Sequence, residues 1–210
     1  MTEADEAGTE LSDWQTVRDE LLAMSAHDLK VREELAADGS LYRNYNPTMQ
    51  AVHDANAARL ANLLDSYGWP GEYQVGHQAA MAAWLIVQHA IAQPAFQRRA
   101  LELLREAVLQ GSAPAVQVAM LEDRIRTLEG RPQLYGTQFD WDPDGCMSPL
   151  PLDNPAAVDE RRRSVGLGPL AQEVSARRAA VAQTRERPPS DWAARQREME
   201  AWCRSVGWRD

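Results

Sequence analysis

Apolar residues recur along this chain at intervals of three and four positions, which is the spacing of an amphipathic α-helix. The first helix is predicted over 12–37, with Ser12 as its capping residue and Asp38-Gly39 at its end. A second helix is predicted from Asn46-Pro47 to Gly68. Further helices are predicted at about 76–92, 95–110, 113–129, 155–165, 168–184 and 190–205. No stretch alternates with period two, so the pattern predicts an all-α fold.

The helical pattern breaks between residues 130 and 155. This segment is rich in proline, and Asp142-Pro143-Asp144-Gly145 is a run of turn-forming residues. The aromatic residues Tyr135, Phe139 and Trp141 indicate that the segment packs down on the helices. We therefore expect a single-domain multi-helix bundle with a long, irregular, proline-rich loop packed across it.

Three regions are predicted along the chain. Residues 1–11 are polar, acidic and without periodicity, which is typical of a disordered lead. Residues 12–187 are predicted to form the helical domain. Because Pro188-Pro189-Ser190 marks the clearest boundary, residues 188–210 are predicted to be a C-terminal helical appendage.

Composition places the chain among ordinary globular proteins. It has 210 residues, of which 44% are hydrophobic and 25% are charged, enough for a sizeable core. The longest apolar run, 79–87, is too short to cross a bilayer, and the acidic N-terminus is unlike a signal peptide. We therefore expect a cytoplasmic protein with no membrane partner. The formal net charge of −9 opposes binding to a nucleic acid backbone.

Three of the predicted helices place polar side chains on faces that are otherwise apolar. Asn56, for example, lies four residues from both Val52 and Leu60 on the second helix. An unpaired buried polar group costs about 1–3 kcal/mol, so such groups must satisfy one another or bind a ligand. The residues concerned are His53, Asn56, Gln88, His89, Asp123 and Arg124.

A polar loop follows the helix that carries Asp123 and Arg124. It reads Gln133-Leu134-Tyr135-Gly136-Thr137-Gln138, and its central glycine permits a sharp turn. The side chains of Tyr135, Thr137 and Gln138 offer donors and acceptors to a substrate. We expect this loop and the polar residues of the three helices to converge in one buried pocket.

Acid–base chemistry is the catalytic class that these residue types fit. A buried histidine beside a carboxylate has its tautomer fixed and its titration moved, so His89 or His53 is predicted to transfer protons with Asp123. The predicted substrate-binding residues are Arg124, Gln88, Asn56, Tyr135, Thr137 and Gln138. The sequence has no HExxH, ExxH or CxxC motif, and we assign no metal. The alternative is an ion held by His53, His89 and Asp123.

Several short motifs also follow one another in a recognisable order. They are Gly68-Trp69-Pro70, Val75-Gly76, Trp84–Ala90, Leu121–Arg124, Gln133–Gln138, Val158–Arg162 and Gly166-Leu167. Together, over roughly residues 50–172, they resemble an uncharacterised family of bacterial domains of unknown function. The resemblance implies that the family's signature positions are Gln88, His89, Asp123, Arg124 and Tyr135–Gln138. It implies no activity.

Two functions stay open at this point. The first is a small bacterial enzyme, a hydrolase or transferase that acts on a small polar or anionic substrate through the buried site. The second is a non-catalytic immunity, accessory or regulatory protein that binds a protein partner through its C-terminal helix. In the second case the buried polar network is structural and only holds the helices together.

Overall fold

The computed structural model describes residues 3–42, 45–184 and 187–210. These residues contain eight α-helices, one pair of short strands and two 3₁₀ turns, so the predicted all-α multi-helix fold is confirmed. The helices are α1 (Glu3–Ala37), α2 (Pro47–Tyr67), α3 (Glu72–His89), α4 (Pro94–Leu109), α5 (Ala115–Leu128), α6 (Val158–Ser164), α7 (Leu170–Gln183) and α8 (Trp192–Ser205). The strands are β1 (Phe139–Trp141) and β2 (Met147–Pro149).

The chain divides into two compact units, Met1–Ala113 and Pro114–Asp210. The N-terminal unit contains α1 to α4, and the C-terminal unit contains α5 to α8 with both strands. The division falls between α4 and α5, inside the range 12–187 for which the sequence predicted one domain.

In the N-terminal unit, α1 packs against α2 and α3, and α3 also contacts α2 and α4. Small side chains on α3, Ala79, Ala82 and Ala83, are at most 4% exposed, and small contact residues let helix axes approach closely. Gly76 interrupts α3 near its start with a φ of 77°. Although α3 carries the apolar run 79–87, no described helix is long and apolar enough to span a membrane.

The two ends of α2 lie where the sequence predicted them. The side chain of Asn46 accepts hydrogen bonds from the amides of Thr48 at 2.9 Å and Met49 at 3.3 Å, and Pro47 is the first helical residue. Gly68 follows the last turn with a φ of 73°. Capping and the missing proline amide therefore fix the start, and the left-handed glycine fixes the stop.

Helix α1 begins at Glu3 rather than at Ser12. The segment predicted to be a disordered lead is therefore helical from Glu3 onward, while Met1 and Thr2 lie outside the described residues. The segment contains no proline, and its alanine and glutamate residues favour helix.

The segment predicted to be irregular, 130–155, contains the antiparallel pair β1–β2, which the periodicity did not predict. Its turn is held by Asp142, whose side chain accepts hydrogen bonds from the amides of Asp144 at 3.0 Å and Cys146 at 2.8 Å. Gly145 completes the turn with a φ of 74°. Strands of three residues are too short to show an alternation of apolar and polar positions, so only the turn residues indicate this hairpin in the sequence.

Candidate functional site

Two histidines and one carboxylate meet in the N-terminal unit. Asp28 Oδ2 lies 3.1 Å from His53 Nε2 and 3.1 Å from His89 Nδ1. The two imidazole rings are 4.9 Å apart between centroids. We call Asp28, His53 and His89 the Asp28 cluster. It joins three helices, because Asp28 lies on α1, His53 on α2 and His89 at the end of α3.

Helical phase brings the three residues together. Asp28 follows Leu21 by seven positions on α1, so it lies on the same buried stripe. His53 lies four residues from both Met49 and Ala57, which are each 2% exposed. Since α1 packs against α2 and α3, the buried stripes of these helices face one another and carry the cluster with them.

The ionisation of Asp28 reflects two opposing effects. Burial disfavours the charged form and raises the pKa of Asp28, but the neighbouring His53 and His89 outweigh it and hold that pKa well below its usual range. Among the described residues, the basic groups within ion-pair distance of this carboxylate are these two histidines. The cluster is therefore a buried anion shared between two imidazoles.

Tyr45 contacts Nδ1, the ring nitrogen of His53 that faces away from Asp28. The Tyr45 hydroxyl lies 2.7 Å from His53 Nδ1. Burial, with the charges of Asp54 and Asp28, raises the pKa of Tyr45, so its hydroxyl keeps its proton at neutral pH. Two tautomers of the neutral ring fit this contact: the hydroxyl donates to Nδ1 while Nε2 carries the proton, or the hydroxyl accepts from a protonated Nδ1 and Nε2 has a lone pair.

Two buried atoms of the cluster make no hydrogen bond with any residue that the structure describes: Asp28 Oδ1 and His53 Nε2. The Nε2 atom is 3.1 Å from Asp28 Oδ2, which is within ion-pair distance, but the two groups are not aligned for a hydrogen bond. His89 Nδ1, in contrast, is hydrogen-bonded to Asp28 Oδ2. His89 is also the most accessible member, with 25% of its side chain exposed.

Two further predicted residues lie in the N-terminal unit. Asn56 is 7% exposed and donates a hydrogen bond to the carbonyl of Met24 at 3.5 Å, one helical turn before Asp28. Gln88 is 4% exposed and precedes His89 on α3. Asn56 therefore connects α2 to α1, which favours a role in holding the helices that carry the cluster.

A second polar network lies in the C-terminal unit around Asp123, which is fully buried. Its carboxylate accepts hydrogen bonds from the amides of Leu134 at 2.6 Å, Tyr135 at 3.1 Å and Thr137 at 3.0 Å. It also accepts one from the Thr137 hydroxyl at 3.0 Å. The loop 133–138 thus wraps around this one side chain, whose carboxylate is held by three backbone amides.

The carbonyls of the same loop are bound by two arginines of α6. Arg161 donates to the carbonyl of Leu134 at 2.7 Å, and Arg162 donates to that of Tyr135 at 2.7 Å. Arg162 is 2% exposed, and burial lowers the pKa of its guanidinium. Gln133, also fully buried, exchanges hydrogen bonds at 2.9 Å with the backbone carbonyl and amide of Gln138. These hydrogen bonds satisfy buried polar groups of the loop and hold it in one conformation.

The remaining predicted residues of this unit are Gln138 and Arg124. The Gln138 side chain donates to the Thr137 hydroxyl at 3.1 Å and to the carbonyl of Met120 at 3.5 Å. Arg124 is half-buried on α5, and burial lowers the pKa of its guanidinium to about 10.

The predicted site residues are thus divided between the two units. His53, Asn56, Gln88 and His89 lie in the N-terminal unit, and Asp123, Arg124, Tyr135, Thr137 and Gln138 lie in the C-terminal unit. The structure brings His53 and His89 together, and it brings Asp123 together with Tyr135 and Thr137. Convergence of the two sets in one pocket stays a prediction.

Asp28 is the residue that sequence reasoning missed. The carboxylate that joins the two histidines is Asp28, whereas the predicted partner Asp123 is occupied by the amides of its own loop. The signal was present, because Asp28 continues the stripe of Val17 and Leu21 at spacings of four and seven residues. Helical phase applied to α1 would have found it.

A protein-family model matches most of the chain. The family model described as "Family of unknown function (DUF6624)" matches residues 15–182. No curated protein and no solved structure matches the chain. The matched range includes the Asp28 cluster and the loop around Asp123, and it ends before α8. The resemblance seen in the sequence is therefore confirmed, and the chain belongs to this family of unknown function.

Proposed function

We propose that this protein is a small enzyme, a hydrolase or transferase, with the Asp28 cluster as its reaction centre. The observation that carries the proposal is the 3.1 Å hydrogen bond between buried Asp28 and His89, the accessible member of the cluster. A carboxylate that holds one imidazole nitrogen fixes the orientation of the whole ring. Histidines held in this way are common at centres that move protons.

The members of the cluster have different roles in this function. Asp28 supplies a fixed negative charge and orients the ring of His89. His53, which is 8% exposed and bound by Tyr45, forms the inner wall. His89 contacts the substrate through its exposed edge. In the reaction His89 removes a proton from water or from a substrate hydroxyl, and the oxygen attacks an electrophilic centre. The bond from that centre to the leaving group then breaks, and the protonated His89 returns its proton to the leaving group.

The proposed substrate is small and polar. The His89 side chain is 25% exposed and those of His53 and Asp28 are at most 8% exposed, so the cluster admits a reacting group rather than a large apolar body. A buried anion beside two imidazoles also favours groups that form hydrogen bonds. A small anionic substrate remains within the proposal, because a protonated imidazole attracts negative charge.

A second candidate is the non-catalytic binding protein. The network around Asp123 favours it, because five hydrogen-bond contacts from the loop occupy that carboxylate. If the Asp28 cluster were structural in the same sense, its histidines would only join α1, α2 and α3. The two candidates therefore differ in whether changes at His89 affect a reaction or only the stability of the fold.

Turnover by His89 variants tests the proposed function. Wild-type protein, His89→Gln and His77→Gln are assayed on a panel of small esters, amides, phosphate esters and glycosides. His77 is the matched control, since it is also on α3 and faces a carboxylate, Glu72, but is 68% exposed. We expect turnover of one class, a loss of roughly 100-fold or more in His89→Gln, and no change in His77→Gln. Absence of turnover across the panel, or an active His89→Gln, contradicts the proposal.

A further inference from the structure

We infer that the Asp28 cluster binds a divalent transition-metal ion of the Zn²⁺ type. Its ligand atoms are Asp28 Oδ2, His53 Nε2 and His89 Nδ1. The inference deepens the proposed function and rests on it for the role of the ion in catalysis. The binding itself rests on the geometry of the cluster and is measured without a reaction.

The three atoms are spaced as ligands of one ion. They all lie within 4.8 Å of one another, and the carboxylate oxygen is 3.1 Å from each nitrogen. In a tetrahedral zinc site with bonds of about 2.0–2.1 Å, neighbouring ligand atoms lie about 3.3 Å apart. Both oxygen–nitrogen distances are therefore within a few tenths of an ångström of this spacing, and the two nitrogens, which lie within 4.8 Å of each other, would need a side-chain adjustment to admit the ion.

The donor set selects the class of ion. Two imidazole nitrogens and one carboxylate oxygen are ligands of zinc and other first-row divalent ions. Magnesium and calcium prefer a shell made of oxygen atoms. Three protein ligands leave one position of a tetrahedral ion open, and in zinc enzymes that position holds water or substrate. His89, with 25% of its side chain exposed, is the member of the cluster that solvent reaches.

The polar atoms of the cluster also fit an ion. Within the described part of the chain, His53 Nε2 and Asp28 Oδ1 are buried without a hydrogen bond, and an unsatisfied buried polar atom costs about 1–3 kcal/mol. An ion on Nε2 would satisfy the nitrogen directly. A metal on Nε2 requires the tautomer of His53 in which Nδ1 carries the proton, and the Tyr45 hydroxyl, 2.7 Å from Nδ1, is placed to accept that N–H, as is usual for metal-binding histidines.

Charge balance leads to the same ion. Asp28 is 2% exposed, and the described basic groups beside its carboxylate are imidazoles rather than lysine or arginine. A buried anion requires a cation or a proton from its neighbours. A divalent ion bound by neutral imidazoles supplies that charge. The ion would also lower the pKa of a bound water to about 7, and the released proton would pass to solvent beside His89.

Zinc binding to the full chain tests the inference. Protein stripped with a chelator is dialysed and titrated with ZnCl₂ by calorimetry, and bound zinc is counted by elemental analysis after gel filtration. We expect one Zn²⁺ per chain. Asp28→Asn, His53→Gln and His89→Gln should each weaken binding by roughly 100-fold or more, while His77→Gln should bind like the wild type. Tyr45→Phe should weaken it by about 10-fold, because it acts through His53.

A second measurement needs no variant that could misfold. Co²⁺ added to the stripped wild-type protein should give the intense visible absorption of a four- or five-coordinate site, and Zn²⁺ should displace it. Failure to bind either ion, or unchanged binding in the three ligand variants, overturns the inference. Turnover that persists in chelator leaves the proposed function standing without the metal. Stoichiometric zinc without turnover leaves the metal site standing without the proposed function.

Discussion

Asp123 accepts two hydrogen bonds from Thr137, one from its amide and one from its hydroxyl, and both are 3.0 Å long. The carboxylate is fully buried and Thr137 is 9% exposed. A polar residue on α5 thus holds the loop that follows it, and the loop closes over the carboxylate. The sequence marked both residues as members of a site, which stays a prediction, and their contacts show that they hold the loop to α5.

Replacing Asp123 should destabilise the C-terminal unit. In Asp123→Ala the amides of Leu134, Tyr135 and Thr137 lose their acceptor, so the free energy of unfolding should fall by roughly 3–5 kcal/mol. Thr137→Val keeps the amide but removes the hydroxyl, which bonds both Asp123 and Gln138, so it should cost about 1–2 kcal/mol. Urea unfolding followed by circular dichroism measures both. An Asp123→Ala protein of wild-type stability that has lost turnover would return Asp123 to the catalytic residues.

Gly136 should tolerate alanine less well than Gly166 does. Both have positive φ, 68° and 81°, and alanine in that conformation costs roughly 1–2 kcal/mol. A Cβ at Gly136 would also lie 2.8 Å from Leu170 Cδ1, whereas no atom lies within 4 Å at Gly166. Gly136→Ala should therefore lower the free energy of unfolding by about 1 kcal/mol more than Gly166→Ala. Equal losses would show that Leu170 moves aside freely.

The pair of Glu20 and Arg59 should give α1 and α2 an acid-sensitive contact. Arg59 donates to both carboxylate oxygens, at 2.7 Å for Nη2 to Oε2, and this hydrogen bonding lowers the pKa of Glu20 below its ordinary 4.5. Because the pKa of Glu20 is lower in the folded protein, the ionised Glu20 side chain stabilises the fold at pH values above 4.5. This stabilisation is lost as the pH falls below that value. Glu20→Gln should therefore cost about 0.5–1 kcal/mol at pH 7 and progressively less below pH 4.5.

The control for this pair is Glu34→Gln, also on α1. Glu34 lies 3.9 Å from Lys30, and both side chains are more than 60% exposed. Such a pair contributes almost nothing to stability. Thermal unfolding between pH 3 and pH 7, about the range over which carboxylates titrate, measures both variants. A Glu20→Gln protein that tracks Glu34→Gln at every pH would show that the pair is not a stabilising contact.

Arg209 should anchor the C-terminal segment to the rest of its unit. Its guanidinium donates to the carbonyls of Thr127 at 2.9 Å and Leu128 at 2.8 Å, at the end of α5. Arg209→Ala leaves these carbonyls without a charged donor, so the free energy of unfolding should fall by about 1.5–3 kcal/mol. Arg197→Ala is the control, since Arg197 is an exposed arginine of the same C-terminal segment, on α8. Equal stability of both variants would instead support the appendage that the sequence predicted.

Helix positions were predictable because local chemistry sets them. Asn46 caps α2, Pro47 occupies a position where its missing amide is harmless, and Gly68 ends the helix in a left-handed conformation. Each effect acts within one turn of backbone, so a short stretch of sequence contains it. The hairpin was missed for the opposite reason, since strands of three residues carry too few positions to show a period.

The site was only partly predictable, because a pattern that shows which side chains are buried does not show which of them contact one another. Helical phase identified His53, His89 and Asp123 as buried, but it could not tell which carboxylate faces which imidazole. Asp123 binds backbone amides, and because nearly every residue has an amide, the sequence does not show which ones a carboxylate binds. Asp28 lies on α1, which carries many exposed charged residues. In the sequence, the one charged residue on its buried face could not be distinguished from them.

Each member of the Asp28 cluster comes from a different helix, and Asp28 and His89 are 61 positions apart in the sequence. The unfolded chain therefore has no such cluster, and whatever binds it must favour the folded protein. A ligand present at 100 times its dissociation constant would raise the free energy of unfolding by about 2.7 kcal/mol. The melting temperature is thus a screening signal for ions and small molecules, and it identifies occupants of the cluster before any reaction is known.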